Sequence, residues 1–446
     1  MKIKLLIFLS FFINLQAADK PNILLILSDD QAWTDYGFMG HEHIKTPHLD
    51  KLASESVLFK RAYVPTALCR PSLMTLATGH YSNVNGVTGN DPKGDSKNPN
   101  NPDLKGSLIS KIDQFDTLAE LLTDAGYLTH QSGKWWEGSY QRGGFTHGMT
   151  KGYPNKGGRH GDVGLKIGRT GNKPVTDFMD MAIKEEKPFF LWYAPFMPHT
   201  PHTPPKDILK KYQEYNLPEP IAKYYAMCEW FDQACGDLIQ SIEDRGIRDN
   251  TLIVYVCDNG WIQNPEKNAY APRSKRSPFE GGTRTPIFFS WPAKYKAQDR
   301  KELCTSLDIF PTIVAAAGAK MPKGLPGLDL NPYMTTQEVI PRDHIFGETF
   351  AHDIADISDP EASLLYRWVI KDNWKLLLSY DGKPGKQKSG GKSKASDSKP
   401  QLFDLSKDPA EKVNLAKDHS EKLAELAKMI NDWYPVKKRK VIREFK

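Results

Sequence analysis

The sequence predicts an α/β protein in which a mostly parallel sheet is flanked by helices and followed by a smaller C-terminal α+β subdomain. Three observations carry that expectation. Short, continuous apolar runs end abruptly in acidic, glycine or lysine residues, as strands buried on both faces read. Helical segments separate those runs, the pattern of βαβ units. Beyond about residue 340 the texture changes to a strand pair and an amphipathic helix.

The elements follow in order. Lys2 and Lys4 precede the apolar run Leu5 to Leu15, and Gln16-Ala17-Ala18 offers small residues for cleavage. Residues 1–18 therefore read as a signal peptide, which implies a secreted or periplasmic protein. After it no apolar run is long enough to span a bilayer. Residues 19–340 are expected to form the large α/β domain. Its first strand, Asn22 to Leu27, stops at Ser28-Asp29-Asp30. A helix around Asp116 to Asp124 leads to a strand ending near Gly133-Lys134, and a helix from Val175 to Glu185 leads to Pro188 to Tyr193. The long helix Ile221 to Glu243 feeds the strand Thr251 to Cys257, which stops at Asp258-Asn259-Gly260. In such sheets ligands bind beyond the carboxyl ends of the strands, where all these polar clusters fall. Residues 341–446 form the expected subdomain, with strands across Arg367 to Tyr380, a helix over Glu421 to Trp433, and a Gly/Ser/Lys-rich hairpin loop from Gly382 to Lys399.

Charge narrows the partners only a little. The formal net charge of +6 is mild, it suits an anionic polymer, and no nucleic-acid motif accompanies it. The five cysteines, at 69, 228, 235, 257 and 304, leave at least one thiol unpaired in an exported protein. Cys69 is the candidate; Cys228 and Cys235, two turns apart on one helix, read as core residues rather than a disulfide.

Asp29, Asp30, Asp258 and Asn259 supply hard oxygen ligands of the kind that calcium or magnesium takes. Thr66 to Ser72 precedes the helical run Leu73 to Ala77, which closes at Thr78-Gly79. Cys69 is thus placed at a helix N-terminus, where free N–H groups and the helix dipole favour an anion and lower a thiol pKa.

The segment Cys69-Arg70-Pro71-Ser72, followed by Leu76 to Gly79, resembles the signature of the type I, formylglycine-dependent sulfatases, members of the alkaline-phosphatase-like superfamily. Further matches fall in order along the chain. Asn22 to Gln31 resembles the first strand and metal pair, Gly133-Lys134-Trp135 the segment of a sulfate-binding lysine, and Pro198-His199-Thr200-Pro201 the loop of a histidine that contacts sulfate or the leaving oxygen. Asp258-Asn259-Gly260 resembles the second metal pair. Lys275, ahead of Glu280-Gly281-Gly282 and Arg284-Thr285-Pro286, resembles a second sulfate-binding lysine, and Leu402 to Leu405 with Asp408-Pro409 and Asn414-Leu415 resembles the closing signature.

The resemblance implies hydrolysis of sulfate esters, on a sulfated carbohydrate, by a formylglycine made from Cys69 with the help of a maturation enzyme. In the family the hydrated aldehyde attacks sulfur with one hydroxyl and expels sulfate with the other. Cys69, Lys134, His199 and Lys275 are the implied catalytic residues. Asp29, Asp30, Asp258, Asn259 and converted Cys69 are the implied ligands of Ca2+, or alternatively Mg2+. Arg70, His160 and Arg284 are the candidate substrate contacts, His160 lying in a glycine-rich stretch that reads equally as a substrate loop or a turn.

Two positions depart from the family pattern. Leu73 stands where an arginine usually assists maturation and steadies the formylglycine, and Trp136 stands where a histidine usually deprotonates its hydroxyl. Arg70, His80, His147 and His160 are the candidates to compensate. Two other readings therefore stand beside the sulfatase: a sulfatase-like protein that binds sulfated glycans without cleaving them, and a phosphate or phosphonate ester hydrolase of the same superfamily.

Overall fold

The computed structural model describes residues 20–93, 103–155, 162–336, 338–380 and 399–436. The expected signal peptide, His160 and nearly all of the Gly382–Lys399 segment lie outside the described residues.

The large sheet is built from β1 (Asn22–Ser28), β2 (Val57–Phe59), β3 (Leu128–Gly133), β4 (His147–Gly148), β5 (Phe189–Ala194), β6 (Thr251–Cys257), β7 (Ile287–Ser290) and β8 (Gln298–Arg300). Their order is β8-β2-β7-β6-β1-β5-β3-β4. All pairings are parallel except those of β7 with β2 and β6. The mostly parallel architecture expected from the apolar runs is the one observed.

Burial of both faces explains why β1 is wholly apolar from Ile23 to Leu27, between Asn22 and Ser28. Ile23, Leu25 and Leu27 join a core with Leu73, Met74 and Leu76 of α2 (Cys69–Thr78), Leu118 and Leu122 of α3 (Leu118–Asp124), and Ile309 and Ile313 of α6 (Ile309–Ala316). Leu24 and Ile26 face the opposite core, with Leu49 of α1 (Pro47–Ser54), Phe178 of α4 (Lys173–Lys184) and Phe231 of α5 (Glu219–Asp244). Each such side chain contributes on the order of 2 kcal/mol, so a polar residue in mid-strand would be costly. Helix starts follow the local chemistry. Thr117 and Glu120 close a capping box on α3, and Pro174 and Pro220 sit in the first turns of α4 and α5. Cys228 and Cys235 are both buried on α5 in apolar clusters, as ordinary core residues.

The later residues form an antiparallel sheet, β9 (His344–Phe350), β10 (Leu364–Lys371), β11 (Trp374–Ser379) and β12 (Gln401–Asp404), in that order. One face packs Val369, Leu376 and Leu402 against Leu426 and Ile430 of α7 (Ser420–Trp433). The other packs Trp368, Ile370, Leu377 and Phe403 against Tyr63, Phe279 and Leu303 of the large unit. Among the described residues, no helix is long and apolar enough to cross a membrane.

A buried ionic bolt joins the two sheets. Lys375 of β11, with no exposed side-chain surface, pairs with Glu280 Oε1 at 3.0 Å and Glu411 Oε1 at 3.1 Å. Glu280 Oε2 accepts the hydroxyl of Tyr63 at 3.0 Å, and the Glu280 N–H donates to Glu411 Oε2 at 2.6 Å. Two carboxylates share this ammonium, and Glu280 has a further cation in Arg284 Nη1 at 3.5 Å. Lys375→Met should therefore lower stability by about 3–5 kcal/mol, read from urea unfolding, because it leaves Glu411 buried without its cation and Glu280 with the more distant Arg284 alone. A loss below about 1 kcal/mol would show that the bolt is not structural.

Glu348 of β9 is a second buried acid. Asn83 donates its N–H to Oε1 at 2.9 Å, while Oε2 has no hydrogen-bond partner. Burial pushes this carboxyl up from 4.5 to about 8. The folded chain then keeps a proton that the unfolded chain loses near pH 4.5, so stability falls as pH rises from about 4.5 to 8. Glu348→Gln should flatten that fall in melting temperatures measured between pH 5 and 8; an unchanged slope would contradict it.

Candidate active site

Four neighbouring strands deliver the polar clusters to one place. Asp258 and Asn259 follow β6, Asp29 and Asp30 follow β1, His199 follows β5 by five residues, and Lys134 follows β3. In the strand order these are adjacent. The chain turns sharply at two of these ends. Asp30 adopts a left-handed φ of 65°, held by its N–H to Asp258 Oδ1 at 3.1 Å. Gly133, at φ 82°, lies so close to the Ala194 carbonyl that a Cβ would collide with it. That close approach lets the Lys134 N–H bond Ala194 O at 2.7 Å and turns its side chain inward.

Lys134 Nζ reaches Asp29 Oδ1 at 2.5 Å and Asp258 Oδ2 at 3.0 Å, with its side chain only 2% exposed. Lys275 Nζ reaches both Asp30 oxygens, at 2.6 and 2.7 Å, and Cys69 Sγ at 3.0 Å. Asn259 Nδ2 donates to Asp30 Oδ1 at 2.6 Å. His199 Nδ1 bonds the Thr200 carbonyl at 2.6 Å, so it carries the proton, and Nε2 faces Asp30 Oδ2 at 3.4 Å. The sequence-derived set Asp29, Asp30, Cys69, Lys134, His199, Asp258, Asn259 and Lys275 is thus one connected cluster.

Electrostatics in this cluster follows burial and pairing. Burial pushes Asp29 up to about 6, against the pull of Lys134 and with Asp258 adding to it. Burial also acts to raise Asp30, but Lys275 and His199 outweigh it and hold Asp30 near 2. The Cys69 thiol is pushed up to about 12 by burial, with Lys134 and Lys275 opposing. The lowered thiol expected from its place in the first turn of α2 is therefore not found; desolvation outweighs the helix dipole.

The residues fit a divalent cation. Asp29 Oδ2 and Asn259 Oδ1 are buried oxygens without a hydrogen-bond partner, and such atoms need one. Asp29, Asp30, Cys69 and His199 place candidate ligand atoms within 4.8 Å of one another. Three carboxylates against two lysines leave the cluster one positive charge short.

Cys69 opens onto a cavity of about 320 Å³ whose walls include Lys275, His199, Trp136, Trp261, Asn90 and His352. A larger concavity of about 450 Å³ lies at Asp113, Asp116, Glu120 and Asp124, where the acidic lining repels anions. Arg70 and Arg284 are spent elsewhere. Arg70 binds Glu137 through Nε and Nη2, both at 2.7 Å, and Arg284 binds the Lys60 carbonyl and stacks on Trp33. Leu73 lies in the apolar core rather than in the cluster. Trp136 forms cavity wall, with Lys134 Nζ 5.4 Å from its ring centre. Of the compensating candidates, His80 packs on Phe115 and His147 on Phe178, and neither lines the cavity. His352, Asn90 and Glu137 carry no motif signal in the sequence. They become visible only through the pairing of Asp353–Ile354 with Asp91–Pro92 and through the Arg70 ion pair.

The orphaned oxygens give a test independent of turnover. Millimolar calcium or magnesium added to chelator-treated protein should raise its melting temperature, by about 2.7 kcal/mol of stabilisation at a hundredfold excess over Kd. Asp258→Ala should abolish the rise, and an equal rise in that variant would contradict the site.

The comparisons agree with this geometry. The family model described as Sulfatase matches residues 21–319, and the model of the N-sulphoglucosamine sulphohydrolase C-terminal region matches residues 270–434. Arylsulfatase A of Bos taurus is 30% identical, with 90% of this chain and 84% of that protein covered. The N-acetylgalactosamine-6-O-sulfatase of Bacteroides thetaiotaomicron is 26% identical, with 94% of each covered. The crystal structure of Ps i-CgsB in complex with k-i-k-neocarrahexaose superposes with a TM-score of 0.74 at 25% identity, covering 95% of each chain. The family model and the whole-length relatives together establish that this chain belongs to the sulfatase family, on an alkaline-phosphatase-like fold, and is a sulfuric ester hydrolase.

Proposed function

We propose that the protein removes sulfate from a sulfated carbohydrate, with residue 69 converted from cysteine to formylglycine and Ca2+ held by Asp29, Asp30, Asp258, Asn259 and converted residue 69. The single observation that carries this reading is Lys275 Nζ, which lines the cavity with Cys69 and bridges Cys69 to Asp30. It ties the nucleophile's position to the oxygen cluster. Relatives named for sulfated sugars support the carbohydrate. The basic, apolar N-terminal stretch supports export to the periplasm or beyond, with residue 69 converted by a formylglycine-generating enzyme that the chain meets before or during export.

When bound, the cation supplies Lewis-acid polarisation of the sulfate oxygens. The side chains do the rest. Lys134 and Lys275, already desolvated, direct donors at the place where negative charge grows in the transition state, at no cost of reorganisation. His199, whose Nδ1 is held by Thr200, presents a free Nε2 that can take the proton given up by the attacking hydroxyl and pass it to the departing alcohol oxygen. Charge balance favours a sulfate ester. Three carboxylates, two lysines and a divalent cation sum to +1, which a sulfate monoester neutralises and a phosphate monoester dianion overshoots. This disfavours the phosphatase reading.

Arg70 and Arg284 serve as supports in this account, Arg70 for Asn90 and Glu137, and Arg284 for the loop that ends at Glu280. Ion chromatography of sulfate released from sulfated oligosaccharides tests the proposal. Release should stop with chelator, return with calcium better than with magnesium, and fall 10²–10³-fold in kcat in Lys275→Ala. Tight binding of the oligosaccharides by calcium-loaded, formylglycine-bearing protein without any release would instead establish the glycan-binding reading, to which Leu73 and Trp136 belong.

A further inference from the structure

Outside the cluster just described, one wall of the same cavity carries a hydrogen-bond chain that no role yet uses. Asn90 is 3% exposed, and its Oδ1 accepts the N–H of Arg70, in the first turn of α2, at 3.1 Å. That bond settles which end of the amide is oxygen, because a backbone N–H requires an acceptor. Nδ2 therefore points to His352 Nε2, 3.2 Å away. An amide nitrogen only donates, so Nε2 accepts and the ring proton sits on Nδ1, which donates to Asp353 Oδ1 at 2.6 Å. The main chain repeats the link. Asn90 N–H donates to the His352 carbonyl at 2.9 Å, and Asp353–Ile354 pairs with Asp91–Pro92.

Asn90 and His352 both face the cavity beside Cys69 and Lys275. The wall thus presents a donor, Asn90 Nδ2, next to an acceptor, Nε2, whose one lone pair is held by that amide at 3.2 Å. A hydroxyl both accepts and donates, so by accepting from the amide and taking its place at Nε2 it satisfies both. A sulfate or carboxylate oxygen only accepts, and would set its lone pairs against that of Nε2. Burial holds the imidazole below its ordinary value, with Arg276 acting in the same direction and Asp353 opposing, which keeps the ring neutral.

We propose that Asn90 and His352 form a hydroxyl-recognition subsite that takes an unsulfated ring hydroxyl of the carbohydrate next to the sulfate being removed. Asp353 is a positioning residue that fixes the tautomer. The inference rests on the carbohydrate sulfatase reading and adds to it a requirement on the neighbouring ring position.

The test compares two substrates on one enzyme sample. One is the hexose monosulfate turned over fastest in a panel of galactose and glucose monosulfates; the other is 4-nitrophenyl sulfate, which has no ring hydroxyl to offer. The ratio of their kcat/KM values does not depend on how much of the variant is folded. In His352→Ala that ratio should fall roughly 10- to 100-fold in favour of the aryl sulfate, chiefly through KM. His352→Gln, whose Oε1 restores an acceptor, should recover part of it. An unchanged ratio, or a glutamine variant as poor as alanine, would overturn the subsite. Wild-type protein that turns over the aryl sulfate but no hexose sulfate would overturn the subsite while leaving a sulfatase, whereas turnover of neither would overturn the functional reading and the subsite with it.

Discussion

Three buried carboxylates at adjacent strand ends set the terms for the rest of the structure. Asp29, Asp30 and Asp258 are each at most 2% exposed, and charges so far from water persist only when other charges answer them. Lys134 and Lys275 answer in part. Both ammonium groups are drawn into the interior at a desolvation cost that they bear only because the acids are there, and both are held above their ordinary pKa by those acids against the effect of burial. The remaining negative charge and the two unpartnered oxygens, Asp29 Oδ2 and Asn259 Oδ1, are what favour a bound cation. The anionic substrate then completes the balance, so fold, metal and substrate charge are parts of one electrostatic problem.

The scaffold solves the placement. A doubly covered parallel sheet ends its strands on one rim, and the central strands β6, β1, β5 and β3 present their following residues side by side. Residue 69 enters from a different direction, on the first turn of α2, and is brought to the rim because α2 packs Met74 and Leu76 into the core under β1. The antiparallel subdomain is no passive appendage. Its Lys375 steadies Glu280, five residues beyond Lys275, and its approach places His352 in the cavity wall.

Much of this was legible in the chain itself. Apolar runs that end in Asp-Asp, Gly-Lys and Asp-Asn-Gly announce strands and the rim together, because period, length and punctuation all agree there. The helix over Glu421 to Trp433 was equally plain from its apolar stripe. Arg70 was not legible: an arginine next to the nucleophile reads as a substrate contact until the fold shows Glu137 taking Nε and Nη2 and the Asn90 carbonyl taking Nη1. His352 was hidden for the opposite reason. Its partners, Asn90 and Asp353, are joined by a two-residue pairing between distant segments, a contact too short to leave a periodic signal. The thiol at position 69 also defied the local rule, since the helix dipole that favours a thiolate is outweighed by burial.

The account turns on what residue 69 becomes. Leu73 packs in the core and Trp136 walls the cavity, so two groups that usually attend the formylglycine are missing while the carboxylate and lysine cluster is complete. The most direct measurement is peptide mass spectrometry of residue 69 in protein made in cells that supply a formylglycine-generating enzyme. The account predicts formylglycine at that position. Unmodified cysteine under those conditions would contradict it, and would leave a buried thiol with no means of attacking sulfur.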